Sequence, residues 1–489
     1  MPQPARRVLI VAFDALRPDM VTPELMPKLT AFAAAGVRFA HSRAAFPTET
    51  RVNQSALVTG CYPGRHGIVG NRFLDPAAAE GLLNTGDETA LAAADRRLGG
   101  RLVEVPVFGE ILADHGMQLA VISAGTPGGT RMLHHQAERL GGFRLSLHRP
   151  DASVPAERIA AAIDRVGPIP PHEIPSLAWL TYATDVYLDY VAPELAPEVT
   201  ILWLCEPDNS YHYRGIGSAE NLAAIRHADA EFGRILAWRD ASGLGDRLQI
   251  VTVSDHGQLT IAGAALDLRA QLTEAGFAVG ETLGPEAEGG AELVLALGGS
   301  VGITLRGSDP TRIGAVVAWL QDQPWCGPLF TRDGRGCLTL GRVGLDHPRA
   351  PDIALVLASD DALNAHGVPG TCRHDSRYPE GGATHGGLHP IELAIWFAAQ
   401  GDAFVSGQVS TLPAGIVDVL PTALHLLGLA APARVQGRVL REGLAAHAHE
   451  PPPAATEEIL SAESAAGTHS YLSVSTVGCT PYLNRGWVD

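Results

Sequence analysis

Short apolar runs alternate along the chain with longer segments of helical periodicity. The runs predict buried strands at residues 8–13, 119–123, 199–204, 249–254, 352–358 and 394–398. Apolar residues at helical spacing predict amphipathic helices at residues 26–35, 218–238 and 416–427. This alternation is typical of an α/β fold in which a mostly parallel central sheet is flanked by helices on both faces.

The alternation is interrupted between residues 261 and 349, where the pattern predicts a helix, a strand pair, a second helix and a further strand. We expect this segment to form a small inserted α+β cap. The core domain then comprises residues 1–260 and 350–449. Glu450 is followed by three prolines, which predict the end of the compact domain. Residues 450–489 are expected to form a C-terminal arm on the surface or on a second subunit.

Composition and charge restrict the class of partner. The chain is 46% hydrophobic and 18% charged, so a large core is expected. Its net charge of −17 argues against nucleic acid polymers and anionic membranes. No apolar window is long enough to span a membrane, and the apolar stretch after Arg7 is too short for a signal peptide. Six scattered cysteines are typical of a reduced compartment. The expected location is cytoplasmic, and the expected partner is a small molecule; a homo-oligomer stays open.

Acidic and histidine side chains follow the carboxyl ends of three predicted strands. With one histidine in the glycine-rich segment 381–387, the set comprises Asp14, Asp208, His212, Asp255, His256 and His385. Side chains beyond the carboxyl ends of parallel strands converge on one crevice. Aspartate and neutral histidine are suitable ligands for Zn²⁺ or Mn²⁺. The set is too large for one tetrahedral ion and suits two ions about 3.5–4 Å apart.

A hydroxyl nucleophile is available where another helix is predicted to begin. Thr48 and Thr50 precede the predicted helix at residues 56–60. A helix N-terminus favours an anion, and metal coordination would lower the pKa of a threonine hydroxyl. From spacing alone, the alternative that both threonines only cap the helix stays open.

Six motifs occur in order along the chain: V-L-I-V-A-F-D (8–14), F-P-T-E-T (46–50), S-A-L-V-T-G-C-Y-P-G-R-H-G-I-V-G-N (55–71), E-P-D-N-S-Y-H (206–212), S-D-H-G (254–257) and T-H-G-G (384–387). On these motifs the sequence resembles the alkaline phosphatase superfamily, and within it the type I phosphodiesterase/nucleotide pyrophosphatase branch. The resemblance implies hydrolysis of a phosphodiester or phosphoanhydride through a covalent phosphothreonine intermediate. It also implies two Zn²⁺ ions, with Mn²⁺ as the alternative.

Position by position, the resemblance assigns roles to individual residues. It implies that Asp14, Thr50, Asp255 and His256 surround one ion, and that Asp208, His212 and His385 hold the other. Thr50, the second threonine of P-T-x-T, would be the nucleophile. Asn71 would bind a non-bridging phosphoryl oxygen.

Arg51 departs from the family pattern, because nucleotide-cleaving members usually have phenylalanine directly after the nucleophile. The resemblance therefore does not imply a stacking platform for a base at this position, and we expect Arg51 to contact a second anionic group of the substrate. The sequence also resembles phosphonoacetate hydrolases, but residues 125–131 carry none of the lysines on which those enzymes rely. The alternatives are a phosphonate C–P hydrolase or phosphomonoesterase on the same site, or a non-catalytic binding protein.

Overall fold

The computed structural model describes residues 6–285, 289–375 and 378–489. Its largest sheet contains eight strands, numbered here by their order along the chain. Across the sheet they are β20 (Gln408–Gly415), β2 (Val37–Arg43), β19 (Phe397–Gln400), β8 (Leu248–Val253), β1 (Arg7–Phe13), β7 (Val199–Leu204), β5 (Leu119–Ser123) and β6 (Phe143–Ser146). Neighbouring strands run parallel except at β19, which is antiparallel to both β8 and β2.

Helices flank this sheet on both faces. The α-helices are α1 (Pro27–Ala35), α2 (Thr50–Thr59), α3 (Pro63–His66), α4 (Glu88–Arg97), α5 (Phe108–Ala113), α6 (Pro127–Leu133), α7 (Ala137–Leu140), α8 (Ala156–Val166), α9 (Leu177–Val186), α10 (Asp208–Arg214), α11 (Ala219–Ala241), α12 (Leu268–Glu274), α13 (Pro310–Gln321), α14 (Pro390–Leu393) and α15 (Val419–Leu426). A π-helix spans Tyr187–Leu195. Short 3-10 helices span Pro18–Met20, Pro150–Ala152, Gly245–Arg247, Arg306–Ser308, Leu340–Val343, Ile416–Asp418, Arg441–Gly443 and Ala445–His447.

The central strand β1 shows why both faces of the sheet are covered. Val8 and Ile10 belong to the apolar cluster on one face, whereas Leu9 and Val11 belong to the cluster on the other. Successive strand residues point to opposite faces, so a continuous apolar run is buried only when both faces are packed. The predicted α/β fold with a mostly parallel, doubly covered sheet is confirmed.

A second, mixed sheet lies beside the first, and it corrects one strand prediction. Its order is β10 (Val279–Gly280), β11 (Leu293–Ala296), β12 (Ser300–Leu305), β15 (Ile353–Leu357), β13 (Cys326–Thr331) and β14 (Leu338–Thr339). The strand predicted at 352–358 for the central sheet is β15, which pairs with β12 and β13 instead. A fully buried apolar run has the same pattern in either sheet, so periodicity does not identify its partners. The cap that was expected to end at residue 349 therefore leaves out β15, which is a central strand of this second sheet.

Three smaller sheets complete the described fold. A four-stranded sheet contains β16 (Ser359–Leu363), β17 (Pro369–Cys372), β9 (Leu259–Ile261) and β18 (Ala383–Thr384), and β3 (Arg72–Leu74) pairs with β4 (Leu82–Asn84). The segment expected to form an arm folds as an antiparallel sheet of β21 (Ala455–Glu463), β22 (His469–Val477) and β23 (Thr480–Val488). Its Leu472, Val474 and Leu483 join an apolar cluster of the central sheet. Among the described residues, no helix combines the length and hydropathy needed to cross a membrane.

Candidate active site

The candidate residues lie at the ends of secondary-structure elements that meet at one edge of the central sheet. Asp14 follows β1, Thr50 begins α2, and Asp208 begins α10, the next helix after β7. Asp255 and His256 follow β8, and His385 follows β18. A cavity of about 740 Å³ opens here, and its lining includes Asp14, Thr50, Asp208, His212 and His385. This volume is within the range of small-molecule sites.

The first group of potential metal ligands is buried beneath Thr50. Single ligand atoms of Asp14, Asp255 and His256 lie within 4.8 Å of one another. His256 Nε2 lies 3.2 Å from Asp255 Oδ2 and 3.8 Å from Asp14 Oδ1. Thr50 Oγ1 is 3.1 Å from the same His256 nitrogen. The structure thus brings together all four residues that the resemblance assigns to one ion.

The second group surrounds Asp208. Its Oδ1 atom lies 3.3 Å from His212 Nε2 and 3.8 Å from His385 Nε2. Ligand atoms of Asp208, His385 and His256 also lie within 4.8 Å of one another. The rings of His256 and His385 stack with their centroids 3.7 Å apart. The two groups are therefore contiguous, and His256 stands between them.

Each histidine is oriented by a hydrogen bond from its other ring nitrogen. The Nδ1 atoms of His212, His385 and His256 donate to the main-chain carbonyls of Ala383 (2.7 Å), Thr48 (2.7 Å) and Gly257 (3.1 Å), respectively. A neutral imidazole that is protonated on Nδ1 has a lone pair on Nε2. All three Nε2 atoms therefore point toward the carboxylates as acceptors, which is the usual arrangement of metal-binding histidines.

Asp14 and Asp255 each have one carboxylate oxygen that is held by a hydrogen bond and one that has no hydrogen-bond partner among the described residues. Asp14 Oδ2 accepts a hydrogen bond from Trp203 Nε1 at 2.9 Å, and Asp255 Oδ1 accepts one from Ala15 N at 3.0 Å. Asp14 Oδ1 and Asp255 Oδ2 are buried and have no hydrogen-bond partner. A buried carboxylate oxygen that faces a histidine nitrogen is satisfied by a proton on that nitrogen or by a metal ion between the two groups. The donor set fits divalent metal ions on this ground.

The ionisation of the site reflects this crowding of charges. Burial raises the pKa of Asp14 well above its ordinary value, and Asp255 and Asp208 raise it further. The pKa of Asp208 is lowered, because His212 and the other nearby imidazoles outweigh the opposing effect of burial. Burial, with His256 next, holds the pKa of His385 well below its usual range. Bound cations would relieve the repulsion among the buried carboxylates.

The two threonines of the P-T-x-T motif have different surroundings. Thr48 Oγ1 donates to Gly387 O at 2.9 Å and accepts from Gly386 N at 3.0 Å. Its side chain is therefore engaged in fixing the loop that carries His385. Thr50 Oγ1 faces His256 instead, at the first residue of α2 and at the wall of the cavity.

Asn71 and Arg51 line the same cavity as Thr50. Asn71 Oδ1 accepts a hydrogen bond from Arg51 N at 3.3 Å, and its own main-chain N donates to Glu49 Oε2. With the amide oxygen occupied, the amide NH₂ of Asn71 is the group left to donate to a ligand. All nine residues predicted for the site are thus brought together by the fold.

Several supporting residues were missed by the sequence analysis. Trp203 holds Asp14, Gln258 Nε2 donates to Asp208 Oδ1, and Glu49 holds Asn71. Glu392 Oε1 accepts from the main-chain N atoms of the two glycines after His385, at 3.0 and 2.9 Å. Trp203, Gln258 and Glu49 act on partners that are distant in sequence, so no local signal marks their roles, whereas Glu392 acts on glycines five and six residues before it. For Glu49 alone, its position inside the P-T-x-T motif could have drawn attention.

Comparison with known proteins places these motifs in a family context. The family model described as type I phosphodiesterase / nucleotide pyrophosphatase matches residues 8–363. Human ectonucleotide pyrophosphatase/phosphodiesterase family member 7 is 24% identical over 262 residues, covering 54% of this chain and 50% of that protein. Mouse bis(5'-adenosyl)-triphosphatase enpp4 is 25% identical over 263 residues, covering 52% of this chain and 47% of that protein. The match thus spans about half the length of these relatives.

Among solved structures, inactive murine ectonucleotide pyrophosphatase / phosphodiesterase 5 in complex with AMP has a similar fold. The TM-score is 0.62 at 17% sequence identity, with 90% of this chain and all of that chain covered. At this identity the likeness concerns the fold.

Proposed function

The chain belongs to the type I phosphodiesterase/nucleotide pyrophosphatase family, and we propose that it is a two-metal hydrolase of phosphodiester or phosphoanhydride bonds. The observation that carries the proposal is the position of the Thr50 hydroxyl. It stands at the N-terminus of a ten-residue helix, 3.1 Å from His256 Nε2, where two groups of potential metal ligands meet. A nucleophile in this position lies at the positive end of the helix dipole and beside the anionic side chains that could bind the metal ions.

The residues that would hold the metals are the two contiguous groups. Asp14, Asp255, His256 and Thr50 would bind one ion, and Asp208, His212 and His385 the other. We propose Zn²⁺, with Mn²⁺ as the alternative, because the donor set is aspartate and imidazole without thiolate. When bound, the ions would neutralise the carboxylates and lower the pKa of the threonine hydroxyl and of water.

The chain's own groups then carry out a double displacement. Thr50 Oγ1 loses its proton to solvent and forms a bond to phosphorus, while the bond from phosphorus to the leaving oxygen breaks with its electron pair. The leaving oxygen departs and takes up a proton, and a covalent phosphothreonine remains. Water then loses a proton and forms a bond to phosphorus, while the bond from phosphorus to Thr50 Oγ1 breaks with its electron pair. Thr50 Oγ1 takes up a proton and is free again. Asn71 and the N-terminal end of α2 donate to the non-bridging oxygens, whose charge develops in each transition state.

We propose that diesters are better substrates than monoesters. A monoester carries one more negative charge at the transferred group, and beside that group Asn71 offers only a neutral donor. A phosphonate C–P hydrolase is less well supported. Phosphonoacetate hydrolases rely on lysine, and the chain's only lysine, Lys28, lies against Gly233 of α11 and not in the described lining of the cavity.

The test compares kcat/KM for bis-p-nitrophenyl phosphate and p-nitrophenyl phosphate, using metal-loaded enzyme and Thr50→Ala as the control. We expect a preference for the diester of at least about tenfold, or about 1.4 kcal/mol. A preference for the monoester would replace the proposal with a phosphomonoesterase. Wild-type turnover no faster than that of Thr50→Ala, with fewer than about one metal per chain by elemental analysis, would favour a non-catalytic binding protein.

A further inference from the structure

We infer that Arg51 forms a second anion subsite in the active-site cavity, and that the preferred substrate is a phosphodiester carrying a carboxylate on one of its two arms. This inference rests on the proposed function and specifies its substrate class.

Buried arginines elsewhere in the described chain are paired with acids. Arg17 pairs with Asp19, Arg131 with Glu88, Arg144 with Glu138 and Arg239 with Asp240, at nitrogen–oxygen distances of 2.6 to 3.0 Å. A buried guanidinium without a counter-ion is costly, and these pairs avoid that cost.

Arg51 is half-buried and has no such acidic pair in the described part of the chain. Its Nε atom is buried and has no hydrogen-bond partner, and no salt bridge to Arg51 occurs among the described residues. The side chain lines the cavity and extends toward Gly86, where Nη2 lies 3.9 Å from the position that a Cβ atom would occupy. The structure thus holds a cation, one residue from the nucleophile, with open cavity beside it.

The acidic residues around Arg51 are committed to other tasks. Among these acids Glu49 has the largest electrostatic effect on Arg51, and its carboxylate accepts a hydrogen bond from the main-chain N–H of Asn71. Asp14 and Asp208 also act on Arg51 electrostatically, but both are proposed metal ligands. Once metals neutralise those two aspartates, the positive charge of Arg51 faces the cavity and the substrate.

Neutral donors next to Arg51 suit the same ligand. Asn84 and Thr126 also line the cavity. Asn84 Oδ1 accepts from Gly86 N at 3.1 Å, so its amide NH₂ is the group left to donate. One guanidinium matches a single carboxylate in charge and in its planar, bidentate geometry. A terminal phosphate would bring more negative charge close to Glu49, which favours the carboxylate.

The test uses matched pairs of p-nitrophenyl phosphodiesters with the metal-loaded full chain. In each pair the second alcohol ends in a carboxylate or in the isosteric carboxamide, with linkers of one to three methylene groups. We expect at least one pair to show a carboxylate preference of about tenfold or more in kcat/KM. Arg51→Gln should bring that ratio within about twofold of unity, and Arg72→Gln, a cavity-lining arginine on β3, should retain it.

The outcomes separate this inference from the function on which it rests. Equal hydrolysis of both members of every pair overturns the subsite and leaves the phosphodiesterase proposal standing. A ratio lost in Arg72→Gln but retained in Arg51→Gln overturns the assignment to Arg51. A diester with a terminal phosphate that exceeds the carboxylate tenfold overturns the choice of a carboxylate. If no diester is turned over, including the bis-p-nitrophenyl ester, both proposals fail.

Discussion

The imidazole of His385 donates its Nδ1 hydrogen to the main-chain carbonyl of Thr48, 2.7 Å away. This bond ties the loop after β18 to the segment that leads into α2, where Thr50 stands two residues later. Thr48 also binds Gly386 and Gly387 through its hydroxyl. The proposed nucleophile and one proposed metal ligand are therefore fixed relative to each other, before any metal or substrate binds.

Replacing Thr50 by alanine should reduce turnover of a phosphodiester on the order of 10³-fold or more, because the nucleophilic oxygen is lost. Metal content should stay close to that of wild type because three of the four proposed ligands of that ion remain. The melting temperature should also change little, since Thr50 makes its described side-chain contact only with His256. The measurements are steady-state kinetics, elemental analysis and thermal unfolding.

Thr48→Val is the matched comparison for Thr50→Ala. It removes a buried hydroxyl that makes two hydrogen bonds, and should lower stability by about 1–3 kcal/mol with a smaller loss of activity. An active Thr50→Ala protein together with an inactive, well-folded Thr48→Val protein would mean that the nucleophile is assigned two residues too late.

Trp203→Phe should weaken metal binding by about 10–100-fold, because it removes the indole donor that fixes Asp14. The loss of activity should be recovered at higher metal concentration, which a merely destabilised protein would not show. Trp396→Phe is the control, since its indole donates to Thr252 within the sheet. A similar metal requirement in the two variants would contradict a role for Trp203 in the metal site.

Gly299→Ala should impair activity although Gly299 lies in the second sheet's hairpin turn and not in a catalytic motif. A Cβ atom there would overlap the carbonyl of His385, so the loop that carries this ligand must move. Displacements of about 1 Å cost on the order of 10²-fold in rate. Gly314→Ala in α13 has open space around it and should leave kinetics unchanged. Wild-type kinetics in Gly299→Ala would show that the hairpin does not position His385.

Chelation of the enzyme should abolish hydrolysis, and added Zn²⁺ or Mn²⁺ should restore it. Asp255→Asn and His385→Ala should each lose most activity, and the double variant should be little worse than either single one, because the ligands act as a unit. Full activity in metal-free protein, or losses that multiply in the double variant, would contradict a shared metal centre.

Asp418 gives the fold a pH dependence that is independent of the active site. Burial raises its pKa from 3.8 to about 6, against the opposing effect of Arg438. The folded protein thus holds this proton more tightly than the unfolded chain, so the contribution of Asp418 to stability decreases as pH rises through this window. Relative to Asp418→Asn, wild type should lose about 2 kcal/mol of unfolding free energy between about pH 4.5 and pH 7. The measurement is the unfolding free energy from denaturant titrations at each pH. An equal change with pH in the two proteins would contradict the prediction.

The sequence was most informative where chemistry coincides with the end of a strand. Asp14, Asp208 and Asp255 each follow an apolar run, and parallel strands bring their carboxyl ends to one edge. The periodicity that locates the strand therefore also locates its ligand. The fold class follows from the same alternation of strands and helices.

The sequence was least informative where a contact depends on distant partners. Nothing around β15 shows that it pairs with β12 rather than with the central sheet, because pairing is decided by which edge is free in three dimensions. Trp203 looks like an ordinary apolar strand residue, and its indole donor matters only because Asp14 ends the neighbouring strand. The same holds for the contact between Gly299 and His385.

The pairing of β2 has a consequence for biosynthesis. This strand, complete by Arg43, is bonded only to β19 and β20 among the described strands, and both come from the last quarter of the chain. At about 5–20 residues per second on the ribosome, β2 waits on the order of tens of seconds for its neighbours. During that interval the nascent chain carries an unpaired strand edge, a template for aggregation. Chaperone dependence during translation, and poor solubility of fragments that stop before Phe397, follow from the strand order of the sheet.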